Sequence, residues 1–126
     1  MKIDHYALAS NSEEESNRFF IDLLGLKKTR SFIVSVDLMK KFFGKEKEQK
    51  IVRYENENLS FEVFITEDNS KSNDIFSHIC LVIDDRDNIV EQSLSMGYKT
   101  IKVPRKNSDG YYLFITDSFG NLYEIK

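Results

Sequence analysis

The apolar character of residues 3–9 is strong enough to predict a buried strand, with Ile3, His5 and Ala7 on one face and Tyr6 and Leu8 on the other. Ser12 with Glu15 three residues on reads as a helix start, and the acids Glu13, Glu14 and Glu15 suit the positive end of a helix. Phe19, Phe20, Leu23 and Leu24 then recur at helical spacing until Gly25 stops the helix. Strands are expected over residues 27–36, 49–54 and 59–66, with a turn at 55–58. In the last of these, Phe61, Val63 and Ile65 share one face, and Glu62 and Phe64 share the other. A short helix near 37–44 interrupts the strands, with Leu38, Phe42 and Phe43 on one side and Gly44 at its end. That apolar stripe is read as closing one end of the core, a lid over a site being the alternative.

The second half repeats this order. Residues 77–83 predict a strand, Asp84 or Asp85 a cap, 88–96 a helix, and Gly97 its stop. Strands follow at 99–103, 111–116 and 122–126, separated by a loop at 104–110 and a turn at 117–121. Strand, helix and glycine keep their spacing between the halves, and the added length of the first half matches its inserted helix. The uniformly polar run 66–74 lies between the repeats and is the expected boundary. The chain is thus read as α+β, with a first βαβββ module at 1–66 and a second at 75–126. Neither module covers both faces of its own small sheet, so the two are expected to pair as curled mixed sheets around a concave cup.

Composition narrows the function classes. With 126 residues, 40% hydrophobic and 31% charged, the chain has material for a sizeable core. A net charge of −3 supplies no clustered positive field for nucleic acid or an anionic membrane, so neither is an expected partner. The sign-alternating run 45–50 reads as a solvated loop or strand edge. A single cysteine, Cys80, excludes an intrachain disulfide and fits a reducing compartment. No apolar segment is long enough to span a bilayer and none resembles a secretory signal, so a cytoplasmic location is expected.

The chain holds only two histidines, and they fall at equivalent places, His5 and His78, each near the start of a module's first strand. Each module also ends on a strand carrying a glutamate amid apolar neighbours, Glu62 and Glu124. A carboxylate there needs a cation or hydrogen bonds to offset its desolvation. Imidazole with carboxylate and no thiolate suits an exchangeable divalent ion of the Ni, Zn, Co, Mn or Fe type. Arg105 and Lys106, in the loop before the 109–112 turn, are candidates for a substrate anion. Tyr111 and Tyr112 alternate, so one faces the cup, and Tyr111 is taken as a substrate contact. Cys80 shares parity with His78 and is read as lining the same pocket, as a small buried hydrophobe rather than a nucleophile.

Ile3-Asp4-His5, Phe61-Glu62-Val63-Phe64, Ser77-His78-Ile79-Cys80-Leu81, Asp109-Gly110-Tyr111-Tyr112 and the close from Thr116 to Ile125 together resemble the vicinal oxygen chelate superfamily, over nearly the whole chain. The close looks like that family's Asp-Pro-x-Gly-Asn-x-x-Glu, with Ser118 where proline is usual. The resemblance implies a metal held by His5, Glu62, His78 and Glu124. It also implies a glyoxalase I-like lyase or isomerase that removes a proton beside a carbonyl of a small hemithioacetal or α-hydroxy-carbonyl substrate through an enediolate. A metal-bound glutamate would be the base, Glu62 or Glu124, with Glu124 the first candidate. An antibiotic-resistance thiol transferase and a non-catalytic drug-binding protein are the alternatives. A homodimer is expected, because small sheets leave open edges and many relatives build the site across a subunit boundary.

Overall fold

Each half of the chain builds its own four-stranded mixed sheet, so the fold is α+β with the strand and helix order read from the repeat. The computed structural model describes residues 3–74, 76–106 and 108–126. Residues 1 and 2 of the expected first module, residue 75 at the expected start of the second, and Asn107 of the expected loop lie outside the described residues. Contacts divide the chain into two units, Met1–Ser70 and Lys71–Lys126.

In the first unit the strands are β1 (Tyr6–Ser10), β2 (Lys27–Val34), β3 (Gln49–Glu55) and β4 (Ser60–Ile65), in the order β1-β4-β3-β2. β1 runs parallel to β4, and the other pairings are antiparallel. β1 starts later than its apolar run suggests. Tyr6 stands opposite Phe61, and β4 begins only at Ser60, after the turn that follows β3, so residues 3–4 have no ladder to join. The helix α1 begins at Glu13–Asn17, capped by the Ser12 hydroxyl, which accepts from the Glu15 amide at 3.2 Å. It then widens to π-helical turns over Arg18–Leu23, where the Leu24 amide reaches back to the Phe19 carbonyl. These turns set Phe19, Phe20 and Leu23 in the core beneath Tyr54 and Phe61. Two lysines, Lys28 on β2 and Lys50 on β3, bond the Glu13 carboxylate and hold its pKa down, tying the helix start to the sheet.

The second unit has β5 (His78–Leu81), α3 (Arg86–Ser95), β6 (Lys99–Pro104), β7 (Tyr111–Thr116) and β8 (Leu122–Ile125). Its sheet order is β5-β8-β7-β6, the same topology, again with the outer β5 parallel to β8. Of the two candidate caps Asp85 is the one used, accepting from the Asn88 amide at 3.0 Å, so α3 starts earlier than its apolar spacing suggests. Ile89, Val90 and Ser93 of α3 are buried together with Leu113, Ile115, Tyr123 and Ile125 of the sheet. The Ser93 hydroxyl meets the Thr100 hydroxyl at 2.8 Å, which satisfies the polar group on that buried helix face.

The inserted helix α2 (Val36–Phe43) is capped by Ser35 and ends at Gly44, whose φ of +68° is a left-handed conformation that glycine adopts without strain. Met39 is its buried residue, while Phe43 meets Phe64 edge-on at 5.4 Å. Phe64 points to the same side as Glu62, so α2 packs on the sheet face opposite α1. Val36, Leu38, Phe42 and Phe43 stay largely exposed, so the stripe does not close the core under α1; its contact with the sheet runs through Phe43 on the Glu62 face. Among the described residues no helix is long and apolar enough to cross a membrane.

Candidate functional site

Strand parity sorts the first unit into two faces. Tyr6, Leu8, Phe61, Val63, Val52 and Tyr54 face α1, which leaves Glu62 and Arg53 on the other side, with His5 at the same edge. Ala7 stands opposite Glu62, so His5 lies two residues before Glu62's partner on the parallel strand. This brings His5 Nε2 to 3.3 Å from Glu62 Oε2. The other ring nitrogen is taken, since Nδ1 lies 3.0 Å from the Asp4 carboxylate and must donate to it. The remaining oxygen of Glu62, Oε1, accepts from Arg53 Nη2 at 2.6 Å. Arg53 is also 4.0 Å from Asp4, and the Glu62 contact is the main reason its guanidinium holds its proton more tightly still.

The second unit repeats the register. Cys80 stands opposite Glu124, and His78 lies two residues earlier. His78 Nε2 is 3.6 Å from Glu124 Oε2. Its Nδ1 is 2.8 Å from the Phe76 carbonyl, an acceptor that again makes this nitrogen the donor. Asp74 shapes the turn that presents this carbonyl, accepting from the Ser77 hydroxyl and from the amides of Ser77 and Phe76, and these bonds, the hydroxyl's first, bring its pKa down to about 2. Where the first sheet has Arg53 across from Glu62, the second has Phe114 across from Glu124. Phe114 packs edge-on to His78 at 5.6 Å. A lysine, Lys126, is 3.6 Å from the other oxygen of Glu124.

Asp4, Arg53 and the Phe76 carbonyl were not singled out by sequence reasoning. Asp4 was readable as a neighbour of a candidate histidine, whereas Arg53 becomes visible only once β3 and β4 are in register. The other candidates fall as follows. Cys80 is exposed and not buried as expected, because it faces outward with Glu124 on the edge strand β5; its thiol pKa is raised, first by desolvation and then by the Glu124 charge, so it is a thiol and not a thiolate. Arg105 stacks over the Tyr112 ring at 4.5 Å, and with Lys106, Val103, Pro104, Ser108 and Tyr112 it lines a shallow hollow of about 370 Å³. Tyr111 is a correction. It shares its face with Leu113 and Ile115, its hydroxyl donates to Asp87 at 2.6 Å, and its ring lies under Arg86 and Lys102. Strand parity instead puts Tyr112 on the Glu124 face, because Phe114 is the residue in register with Glu124.

The donor chemistry of both halves fits a divalent ion. With Nδ1 donating, a neutral imidazole turns a lone pair at Nε2 toward a carboxylate oxygen. Two lone pairs facing each other at 3.3 and 3.6 Å need a proton or a cation between them. Ligands of a first-row ion bound at about 2.1 Å and at right angles stand about 3 Å apart, close to both separations. Histidines that bind metals commonly donate their second nitrogen to a carboxylate or a backbone carbonyl, as Asp4 and Phe76 allow here. Each unit supplies one such pair. Within either unit, among the described residues, no group of three or more His, Cys, Asp and Glu side chains is placed to hold an ion alone.

Solved structures with this fold include the glyoxalase family protein of Enterococcus faecalis, with a TM-score of 0.73 at 15% identity over 98% of this chain and 95% of that one. The glyoxalase family protein of Bacillus cereus gives 0.75 at 13% identity, covering 99% and 92%. A mutant of the Listeria monocytogenes fosfomycin resistance protein, FosX, in complex with Mn(II) and 1S,2S-dihydroxypropylphosphonic acid, gives 0.70 at 15% identity over 98% and 87%. A comparison with proteins of curated function finds no match. The model of the Glyoxalase/Bleomycin resistance protein/Dioxygenase superfamily matches residues 2–125, which with the doubled βαβββ topology means that the chain belongs to this superfamily.

Proposed function

We propose that this protein is a divalent-metal-dependent lyase or isomerase acting on a small α-hydroxy-carbonyl substrate such as a hemithioacetal. The observation that carries the reading is the twofold recurrence of one arrangement: an imidazole with Nδ1 tied back, its Nε2 turned to a glutamate at the same register position of each sheet. His5 with Glu62, and His78 with Glu124, are the residues that would bind the ion. When bound, it would supply a Lewis acid for two adjacent substrate oxygens. Glu124 is the better candidate for the proton transfer beside the carbonyl, since no guanidinium grips it as Arg53 grips Glu62; it meets His78 and Lys126, each at 3.6 Å, and the neutral Cys80 thiol. Arg105 over Tyr112, with Lys106 beside them, offers cationic donors for an acidic group on the substrate.

The test is elemental analysis of the purified protein with His5→Ala and Glu124→Ala. Near-stoichiometric divalent metal in the parent, with affinity about 100-fold or more weaker in each variant, is the expected result. Turnover of the thiol adduct of methylglyoxal by the loaded parent would then identify the reaction class. Metal binding with epoxide opening in place of that turnover would favour the thiol transferase reading. A protein that takes up no metal after supplementation would overturn the proposal.

A further inference from the structure

Among the differences between the two half-sites, the largest in charge is the residue across the sheet from the glutamate, Arg53 in the first and Phe114 in the second. Arg53 Nη2 donates to Glu62 Oε1 at 2.6 Å and stands 4.0 Å from the Asp4 carboxylate that holds His5. The contacts close a ring in which His5 meets Asp4, Asp4 meets Arg53, Arg53 meets Glu62, and Glu62 returns to His5. The matching residue in the second sheet is Phe114, which offers Glu124 no donor. Arg53 is held on the first sheet by its cross-strand register to Glu62, and its Nε is buried without an acceptor. A guanidinium committed in this way gives little rotational freedom to the carboxylate it grips.

We infer, on the metal-binding reading above, that Arg53 is a positioning residue: it occupies Glu62 Oε1 and so restricts Glu62 to ligation through Oε2 alone, making the first half-site the rigid one. Two forces act in opposite directions on a nearby cation. The positive guanidinium repels it, and the fixed carboxylate and imidazole spare it the cost of ordering its own ligands. Tight register and the closed ring let preorganisation outweigh the repulsion.

The experiment measures Mn(II) affinity by the loss of the free-ion electron paramagnetic resonance signal. It also records the visible absorption of the Co(II)-loaded protein, for the parent, Arg53→Met and Arg53→Lys, with circular dichroism confirming the fold of each. Arg53→Met is expected to bind Mn(II) about 10- to 100-fold more weakly. Its Co(II) bands should change shape as Glu62 becomes free to offer both oxygens, and Arg53→Lys, which keeps one donor, should recover part of both effects. If the parent binds Mn(II) and Arg53→Met binds it equally or more tightly, charge repulsion dominates and the inference fails while the metal reading stands. If only Arg53→Met binds, Arg53 itself serves as the cation of that half-site, and the inference is overturned. If neither binds, the metal reading fails and takes the inference with it.

Discussion

Phe20→Ala is expected to destabilise the first unit by about 4 kcal/mol. Phe20 is 1% exposed and sits where the π-helical turns of α1 press on the sheet. Its ring stacks on Tyr54 at 5.0 Å, lies against Phe61 at 5.1 Å, and meets Phe19 edge-on at 5.3 Å. Truncation removes a large buried apolar surface and leaves a cavity walled by aromatic rings that close-packed strands hold apart. Collapse is therefore limited, and the cost belongs toward the upper part of the range for such changes. Tyr54 and Phe61 each adjoin a residue of the opposite face, Arg53 and Glu62, so a loosened core should weaken the His5–Glu62 half-site as well. Urea unfolding of the variant checks the prediction. Phe20→Leu should recover more than half of the loss, and a midpoint unchanged by Phe20→Ala would mean that α1 does not pack as described.

Asp117→Ala is expected to cost about 3–4 kcal/mol, through unmet hydrogen bonds and not through lost packing. The Asp117 carboxylate organises the last turn of the chain. Oδ1 accepts from the amides of Phe119, Gly120 and Asn121, and Oδ2 from the Asn121 side chain and the Tyr123 hydroxyl, five donors in all. Phe119 and Tyr123 are buried, so their donors have no ready replacement in water. That turn sets the register in which Tyr123 points into the core and Glu124 points out beside His78. Burial pushes the Asp117 carboxyl up from its ordinary value, against the pull of its donors. The folded state thus holds this proton more tightly than the unfolded chain does. Its contribution to stability is fully present below the unfolded pKa and declines as pH rises through the higher folded one. Asp117→Asn removes the titration and keeps an acceptor for the three amides, at a cost of about 1–2 kcal/mol. The stability difference between parent and Asp117→Asn should shrink as pH rises through that window. A difference that grows with pH there would contradict the assigned direction.

Much of this architecture is legible in the sequence because it depends on local rules. Glycines at 25, 44 and 97 end helices wherever the chain must turn left-handed, and their φ values of +71°, +68° and +81° bear this out. The alternation in residues 59–66 could face only one way, since burying Glu62 and Phe64 would expose Phe61, Val63 and Ile65. The same parity separated Tyr111 from Tyr112 but did not say which faced the core. That assignment waited for the pairing of β7 with β8, in which Phe114 meets Glu124. The widened turns of α1 were also invisible, because α- and π-helical spacing of Phe19, Phe20 and Leu23 differ too little over so short a run.

What the sequence by itself determined is the doubled βαβββ order, the matching positions of His5, Glu62, His78 and Glu124 in the two repeats, and a chemistry of imidazole with carboxylate. Periodicity and capping are each readable within about ten residues, and the repetition from laying one half of the chain beside the other. Tertiary structure alone decided which atoms meet. Asp4 and the Phe76 carbonyl tie the two Nδ1 atoms and turn each Nε2 to its glutamate, and Arg53 reaches Glu62 from a different strand. The reason is physical: side-chain partners across a sheet are set by register, and register is a property of paired strands that no single strand carries.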